Sequence, residues 1–264
     1  MTSPNIDFIR DFANLYHQKL TTDGIQIKPK QRRNPKEFIV LCCEHTMRNI
    51  RAVPRTVHVS RELSQNNVLG KFQASVDLIK SKIVKGESLT PFQSKTTKSF
   101  GYKELMVFDW NIHHLHLGKY CERDLQSKRT NELLYAMFHD DDAYLIDIKP
   151  HRAWADIDLL NIVENNWPNL LDRSILKGIQ APKKELSDQE HLECREAGLA
   201  TFRTLGSGRV LMGPGGGITT AKTSLRARYD AMFILETLRG LERTALSHIP
   251  NPTEHDSASY WLFD

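Results

Sequence analysis

The chain has 264 residues, of which 40% are hydrophobic and 26% charged, and its formal net charge is +4. This composition is typical of an ordinary soluble globular protein. No apolar run approaches the roughly 20 residues of a membrane helix, so no membrane partner is expected. The N-terminus lacks the basic-then-apolar pattern of a signal peptide, and the four cysteines include no CxxC pair. These features indicate a cytoplasmic protein without a zinc knuckle or a disulfide framework.

The positive charge is concentrated in one part of the chain. Residues 26–103 hold 16 Lys and Arg against 5 Asp and Glu, a balance of +11, while the remainder carries −7. Such a concentration favours a polyanionic partner, most simply nucleic acid, although a solvated surface gives the same pattern. Arg32 and Arg33 are candidate nucleic-acid-binding residues here. We predict a basic N-terminal helical region over 1–95 and an α+β core with the active site over 96–264.

The first hundred residues are predicted to be mainly helical. Residues 5–20 have apolar positions at helical spacing, with Asn5 or Ser3 as the cap. Residues 38–43 fit a buried strand or the start of a helix reaching Ile50. Residues 68–83 indicate another helix, and the Ser, Thr and Lys of 85–103 indicate a linker.

The middle of the chain predicts a central antiparallel sheet and therefore an α+β fold. Residues 104–117, 133–138 and 143–148 are predicted strands, with a charged loop at 118–130 and a tight turn at 139–142. Two apolar runs joined by such a turn are typical of a β-hairpin. A helix is expected over 154–163.

The last third is predicted to contain a short strand at 209–212, the glycine-rich turn Gly213–Gly217 and a long C-terminal helix capped by Thr219 or Thr220. An exposed connection into a helix is expected at 180–196. The glycine-rich turn approximates a phosphate-binding P-loop, but Ala221 replaces its second glycine, and only about forty residues follow. We therefore exclude a P-loop NTPase and expect a flexible turn.

Three of the eleven histidines lie within four residues, at His113, His114 and His116. Because side chains alternate along a strand, His114 and His116 are expected on one face and His113 on the other. His139 and His151 come from later elements and can converge on this pair. Neutral imidazole near phosphate suits RNA cleavage, in which one group removes the 2′-hydroxyl proton and another protonates the 5′-oxygen. Zinc binding by His114, His116 and an acid of Asp140–Asp142 is the metal alternative, with no residue fixing the third ligand.

Cations surround these histidines in the sequence. Arginine binds phosphate bidentately and lysine binds it as a point charge, so both suit a phosphodiester site. An ordinary charged hairpin connection is the alternative interpretation. The candidates in the loop and after the third strand are Lys119, Tyr120, Arg123, Lys128, Arg129, Lys149, His151 and Arg152.

The segments WNIHHLHLGKYCERDLQSKRT and ELLYAMFHDDDAYLIDIKPHR, with the helix that follows, resemble the RelE/ParE/HigB superfamily of bacterial toxins. The resemblance covers residues 104–165, about a quarter of the chain. It implies a RelE-like core and metal-free cleavage of messenger RNA, often at the ribosome, whereas the ParE-like branch inhibits DNA gyrase. The positions implied are His114, His116, Lys119, Tyr120, Arg123 and His151. This chain is longer than such toxins and denser in histidine, and its basic N-terminal and glycine-rich C-terminal parts lie outside the resemblance.

The sequence therefore predicts a metal-independent endoribonuclease of bacterial toxin or phage-defence type, with no cofactor. His114 and His116 would serve as general base and acid, Lys119, Arg123 and Arg152 would hold the phosphate, and Tyr120 and His151 would assist. RNA, either alone or on the ribosome, and an antitoxin or regulatory protein are the expected partners. A metal-dependent nuclease or phosphohydrolase and a non-catalytic nucleic-acid-binding or sensor protein are the alternatives.

Overall fold

The structure, a computed structural model, describes residues 6–121 and 126–248. The helices in these ranges are α1 (Phe8–Thr22), α2 (Pro35–Arg48), α3 (Arg61–Gln65), α4 (Leu69–Lys85), α5 (Leu105–Trp110), α6 (Asp158–Asn166), α7 (Asp188–Glu196) and α8 (Leu225–Ser247). The strands are β1 (Thr56–Val59), β2 (His113–His116), β3 (Tyr120–Cys121), β4 (Gln126–Ser127), β5 (Glu132–Phe138), β6 (Asp142–Pro150), β7 (Arg203–Thr204) and β8 (Val210–Leu211). Short 3-10 helices occupy Pro29–Arg32, Thr90–Phe92, Lys95–Lys98 and Pro168–Leu170.

A four-stranded sheet in the order β1-β6-β5-β2 forms the centre of this α+β fold. The β5–β6 hairpin and the β2–β5 pair are antiparallel, as the sequence predicts. Strand β1 instead pairs parallel to β6, with Thr56 opposite Asp142, so the expected antiparallel sheet is in fact mixed. Since β1 lies within residues 1–95, the sheet takes strands from both predicted parts of the chain.

The predicted strand over 104–117 is wrong in its first half, where the chain forms the helix α5. Residues Met106–Trp110 are all buried, so the apolar run shows no alternation that would separate a strand from a buried helix. Asn111 ends the helix in the left-handed conformation with a φ of 58°, and its N–H donates to the carbonyl of Val107. The chain can then turn into β2, which covers His113–His116 only.

Each face of the sheet carries its own apolar core. On one face, Leu115 and Leu134 pack with Val76 and Ile79 of α4. On the other face, Tyr135 and residues of α5 and α6 form the second cluster. Burial on both faces explains why β5 is a continuous apolar run rather than an alternating one.

Helices α1, α2 and α8 pack on one another beside the sheet. Helix α1 is capped by Asp7, whose carboxylate accepts from the N–H of Arg10, rather than by the predicted Asn5 or Ser3, which lie outside the described residues. Helix α8 begins at Leu225 with Ser224 as its cap, not at Thr219 or Thr220. Those threonines belong to a closed turn, in which the N–H of Thr219 donates to the carbonyl of Thr223 at 2.9 Å.

The glycine-rich turn Gly213–Gly217 is packed tightly rather than flexible. A Cβ at Gly213 would lie 2.2 Å from the carbonyl oxygen of Asp109, and one at Gly215 would lie 2.5 Å from that of Val107. The N–H of Gly215 donates to the Asp109 carbonyl at 2.8 Å. Gly213 and Gly215 are therefore required because this turn lies directly on the backbone of α5.

Within the described residues, the helices are all too short or too polar to cross a membrane.

Candidate active site

Three histidines converge at the end of the sheet where β2 and β6 finish. The ring centroids of His114 and His116 are 6.1 Å apart, and His151 lies 6.3 Å from the first and 6.4 Å from the second. We call these three residues the histidine triangle. His113 points to the opposite face of β2 and contacts Phe138 edge-on at 5.5 Å, as strand alternation predicts.

Backbone pairing explains why His151 reaches the other two histidines. Leu133 of β5 lies opposite both His116 of β2 and Lys149 of β6, so the ends of all three strands meet. The N–H of His151 then donates to the carbonyl of Asn131 at 2.7 Å. Because β5 holds both neighbours in register, the position of His151 follows from the β5–β6 hairpin.

Trp154 covers the histidine triangle. Its ring centroid lies 4.8 Å from that of His114 and 4.9 Å from that of His151, with both pairs close to perpendicular. The carbonyl of Trp154 accepts a hydrogen bond from Arg195, whose guanidinium is held by the buried carboxylate of Asp109. A buried ion pair thus fixes the residue that covers the site.

The two strand histidines are buried and neutral. His114 is 8% exposed and His116 is 4% exposed, whereas His151 is exposed to solvent. Burial, followed by the neighbouring imidazoles, lowers the pKa of His114 to about 3. Burial, followed by the charge of Arg129, lowers the pKa of His116 to about 4. At neutral pH both rings therefore carry one acceptor nitrogen each, which is the form that a general base requires.

His116 has one nitrogen free for chemistry. Its Nδ1 is buried and has no hydrogen-bond partner among the described residues. Buried polar atoms in folded proteins are nearly always hydrogen-bonded, and those that are not are concentrated at functional sites or at sites of bound water. This nitrogen is thus the strongest candidate for a proton acceptor in the triangle.

A buried carboxyl lies behind His114. Glu104, Arg48 and His114 line a cavity of about 10 Å³, about the size that holds a single water molecule. Burial raises the pKa of Glu104 to about 7, against the opposing effect of Arg48. Sequence reasoning missed this carboxyl because it assigned residue 104 to the start of a strand.

Three cations lie on the hairpin next to His116. Lys119, Lys128 and Arg129 are exposed, and no salt bridge to them is found in residues 6–121 and 126–248. The N–H of Lys128 donates to the carbonyl of Lys119 at 3.2 Å, and the hydroxyl of Ser127 donates to the carbonyl of His116 at the same distance. We call this segment the cationic hairpin. It brings unpaired positive charge to the histidine triangle.

Gly118 allows this hairpin to form. A Cβ at this position would lie 2.0 Å from the carbonyl oxygen of Lys128, so any other residue would push the two sides of the hairpin apart. The sequence itself contains this indication of a tight turn, because Gly118 lies between the histidines and Lys119.

The remaining predicted site residues fall into four groups. Lys149 is engaged by Asp156 at 2.6 Å and by Asp158 at 3.4 Å, so it is not available to phosphate in this conformation. Arg152 is exposed beside His151. Arg32 and Arg33 are exposed at the end of the 3-10 helix between α1 and α2, away from the sheet strands in sequence and packing. Arg123 lies outside the described residues, as does the side chain of Tyr120, whose backbone starts β3.

The structure does not assemble the predicted HxH-plus-carboxylate metal site. The acidic turn follows Phe138, which lies five residues along β5 from Leu133, the partner of His116. At 3.4 Å per residue, the turn is therefore roughly 17 Å from His116 along the strand. Its carboxylates have other partners, because Asp140 pairs with Arg51 and Asp142 pairs with His58. No group of three or more His, Cys, Asp and Glu side chains in the described part of the chain is arranged to hold a metal ion. His139 is also at this far end, against Tyr144.

Comparison of the chain with protein-family models, with curated proteins and with solved structures finds no match. The function must therefore be argued from the site itself.

Proposed function

We propose that this protein is a metal-independent endoribonuclease of bacterial toxin or phage-defence type. The observation that carries the proposal is the meeting of His114, His116 and His151 beside the unpaired cations of the cationic hairpin. Imidazoles supply proton transfer and cations stabilise the charge of a phosphorane, which are the two requirements of RNA cleavage without a metal.

In the proposed reaction the ribose 2′-oxygen attacks the adjacent phosphorus. The P–O2′ bond forms, the P–O5′ bond breaks, and the products end in a 2′,3′-cyclic phosphate and a 5′-hydroxyl. Neutral His116 accepts the 2′-hydroxyl proton through a ring nitrogen. His151 donates a proton to the leaving 5′-oxygen, because its exposed ring can exchange protons with solvent.

This assignment changes the roles expected from the sequence, which made His114 the base and His116 the acid. A histidine with a pKa of about 4 is neutral at pH 7 and has no labile proton to donate as imidazolium. His114 lies against Trp154 and has the lower pKa of the two, so we assign it the role of positioning its neighbours.

The cationic hairpin would bind the RNA backbone. Arg129 offers a planar fork to a phosphate, and Lys119 and Lys128 offer point charges. Arg152, next to His151, extends the same positive surface. Tyr120 and Arg123 stay within the proposal as sequence-based candidates.

The order of β2, the cationic hairpin, β5, β6 and α6 supports a RelE-like core. On this basis we propose RNA, bound alone or on the ribosome, as the substrate, an antitoxin or regulatory protein as partner, and the cytoplasm as the place of action. Non-catalytic RNA binding is the second candidate, favoured by the exposed and unpaired cations.

The test is cleavage of a labelled RNA oligonucleotide by purified protein, with the product ends identified by mass spectrometry. We expect 2′,3′-cyclic phosphate ends, and a rate loss of about 10²–10⁴ in both His116→Ala and His151→Ala. His139→Ala is the matched control, because His139 lies at the far end of β5, and it should cleave at the wild-type rate. Wild-type rates in both site variants would contradict the proposal, and binding without any cleavage would favour the second candidate.

A further inference from the structure

A second cleft, on the opposite side of β2 from the histidine triangle, is not used by the proposed function. It has a volume of about 420 Å³ and lies between α1, α2 and α8 on one side and the start of β2 and the β5–β6 turn on the other. We call it the helix–sheet cleft. Its volume falls within the range of roughly 300–1,000 Å³ typical of small-molecule sites.

Three arginines line this cleft. Arg226 of α8 is exposed, and no salt bridge to it is found among the described residues. Arg226 and His139 both line the cleft. Arg55 is 7% exposed and lies 5.7 Å over the ring of Phe138. Its Nε donates to the His139 carbonyl, whereas its Nη2 donates to no described residue. Arg51 lies at the same end and pairs with Asp140.

A buried imidazole without a hydrogen-bond partner among the described residues also faces the cleft. His113 is 6% exposed, and neither of its ring nitrogens is hydrogen-bonded to a described residue. The preceding turn places Asn111, in the left-handed conformation, on the same wall. These two polar side chains indicate a ligand with hydrogen-bonding groups.

The opposite wall is apolar and aromatic. It includes Tyr16 of α1 and Ile39 of α2, with Phe138 at the base near the arginines. Asp230 lies one helical turn from Arg226 on α8 and adds an acceptor near Cys43. The cleft thus combines the positive charge of three arginines, a largely apolar wall and the carboxylates of Asp140 and Asp230.

We propose that the helix–sheet cleft binds a nucleoside monophosphate. The phosphate lies between the guanidinium of Arg226, which offers bidentate hydrogen bonds, and the unengaged Nη2 of Arg55. The base lies along the apolar wall, and Asp230 accepts from an amino or hydroxyl group of the ligand. His113 and Asn111 hydrogen-bond to the ribose. This site is separate from the histidine triangle and does not depend on RNA cleavage.

Equilibrium dialysis of the full chain tests the proposal. The ligands are AMP, GMP, CMP and UMP, with adenosine and inorganic phosphate as separate arms. We expect at least one nucleotide to bind at micromolar concentration, with adenosine and phosphate at least about tenfold weaker. Arg226→Ala should weaken nucleotide binding about tenfold or more, because it removes a charge-assisted contact. Arg239→Ala, on an outer turn of the same helix, is the matched control and should bind as wild type.

His116→Ala separates the two sites, since nucleotide binding in the helix–sheet cleft should be unchanged in this variant. Loss of binding in His116→Ala would place the nucleotide in the histidine triangle and overturn the proposal. The same conclusion would follow if no nucleotide bound below roughly 1 mM, if Arg226→Ala bound normally, or if phosphate alone bound as tightly as the nucleotides. Arg226 is exposed, so its substitution should leave the fold intact.

Discussion

Replacing Asp109 with Asn should destabilise the protein strongly, because it removes the counter-charge of a buried arginine. Arg195 is 4% exposed, and its Nε and Nη2 each lie 2.8 Å from Oδ2 of Asp109. Its guanidinium also stacks on Trp110 at 4.5 Å, so it cannot turn to solvent without losing that contact. Removing one partner of such a pair costs about 3–5 kcal/mol, since the remaining charge stays buried and uncompensated.

Urea unfolding followed by circular dichroism measures this loss directly. For a chain of this size the same loss lowers Tm by roughly 10 °C. Asp172→Asn is the matched control: Asp172 is exposed and lies 3.4 Å from Arg209, so its loss should cost at most about 1 kcal/mol. Equal losses in the two variants would refute the view that the buried pair organises this part of the fold.

Three further results are expected, two of them with a control variant. The free energy of unfolding should fall between about pH 7.5 and pH 5, by about 2 kcal/mol for each of His114 and His116, because their folded-state pKa values lie below those of the unfolded chain. The stability that the two neutral histidines contribute is thus present above the pKa of histidine in the unfolded chain and is lost on acidification. In urea unfolding measured across this pH range, a His114→Gln/His116→Gln variant should lose less stability than the wild type. Gly213→Ala should cost about 1–3 kcal/mol because its Cβ meets the Asp109 carbonyl, whereas Gly240→Ala, with open space around it in α8, should be neutral or stabilising in the same assay. Lys128→Ala/Arg129→Ala should reduce the slope of log affinity for single-stranded RNA against log salt by about 1.4, and an unchanged slope would remove the cationic hairpin from the binding surface.

Much of the candidate site could be predicted from strand alternation and hairpin pairing. The HxH spacing places His114 and His116 on one face, and the β5–β6 hairpin returns the chain so that His151 joins them. Both inferences need only local periodicity and a short turn, which a single sequence displays.

The parts that could not be predicted depend on contacts between distant segments. The run preceding β2 is buried on every side, so its helix α5 has no periodic signal. Strand β1 joins β6 in parallel across 86 positions of sequence, with Thr56 opposite Asp142. The helix–sheet cleft draws on five elements, and Gly213 and Gly215 are explained only by the backbone of α5 beneath them.

The most direct test of the central claim is incubation of purified protein with total RNA, with and without EDTA, beside a His114→Ala/His116→Ala variant. The proposed mechanism predicts cleavage that survives EDTA and is lost in the double variant, because the histidine triangle performs the proton transfers. Cleavage that EDTA abolishes, or that the double variant retains, would contradict it.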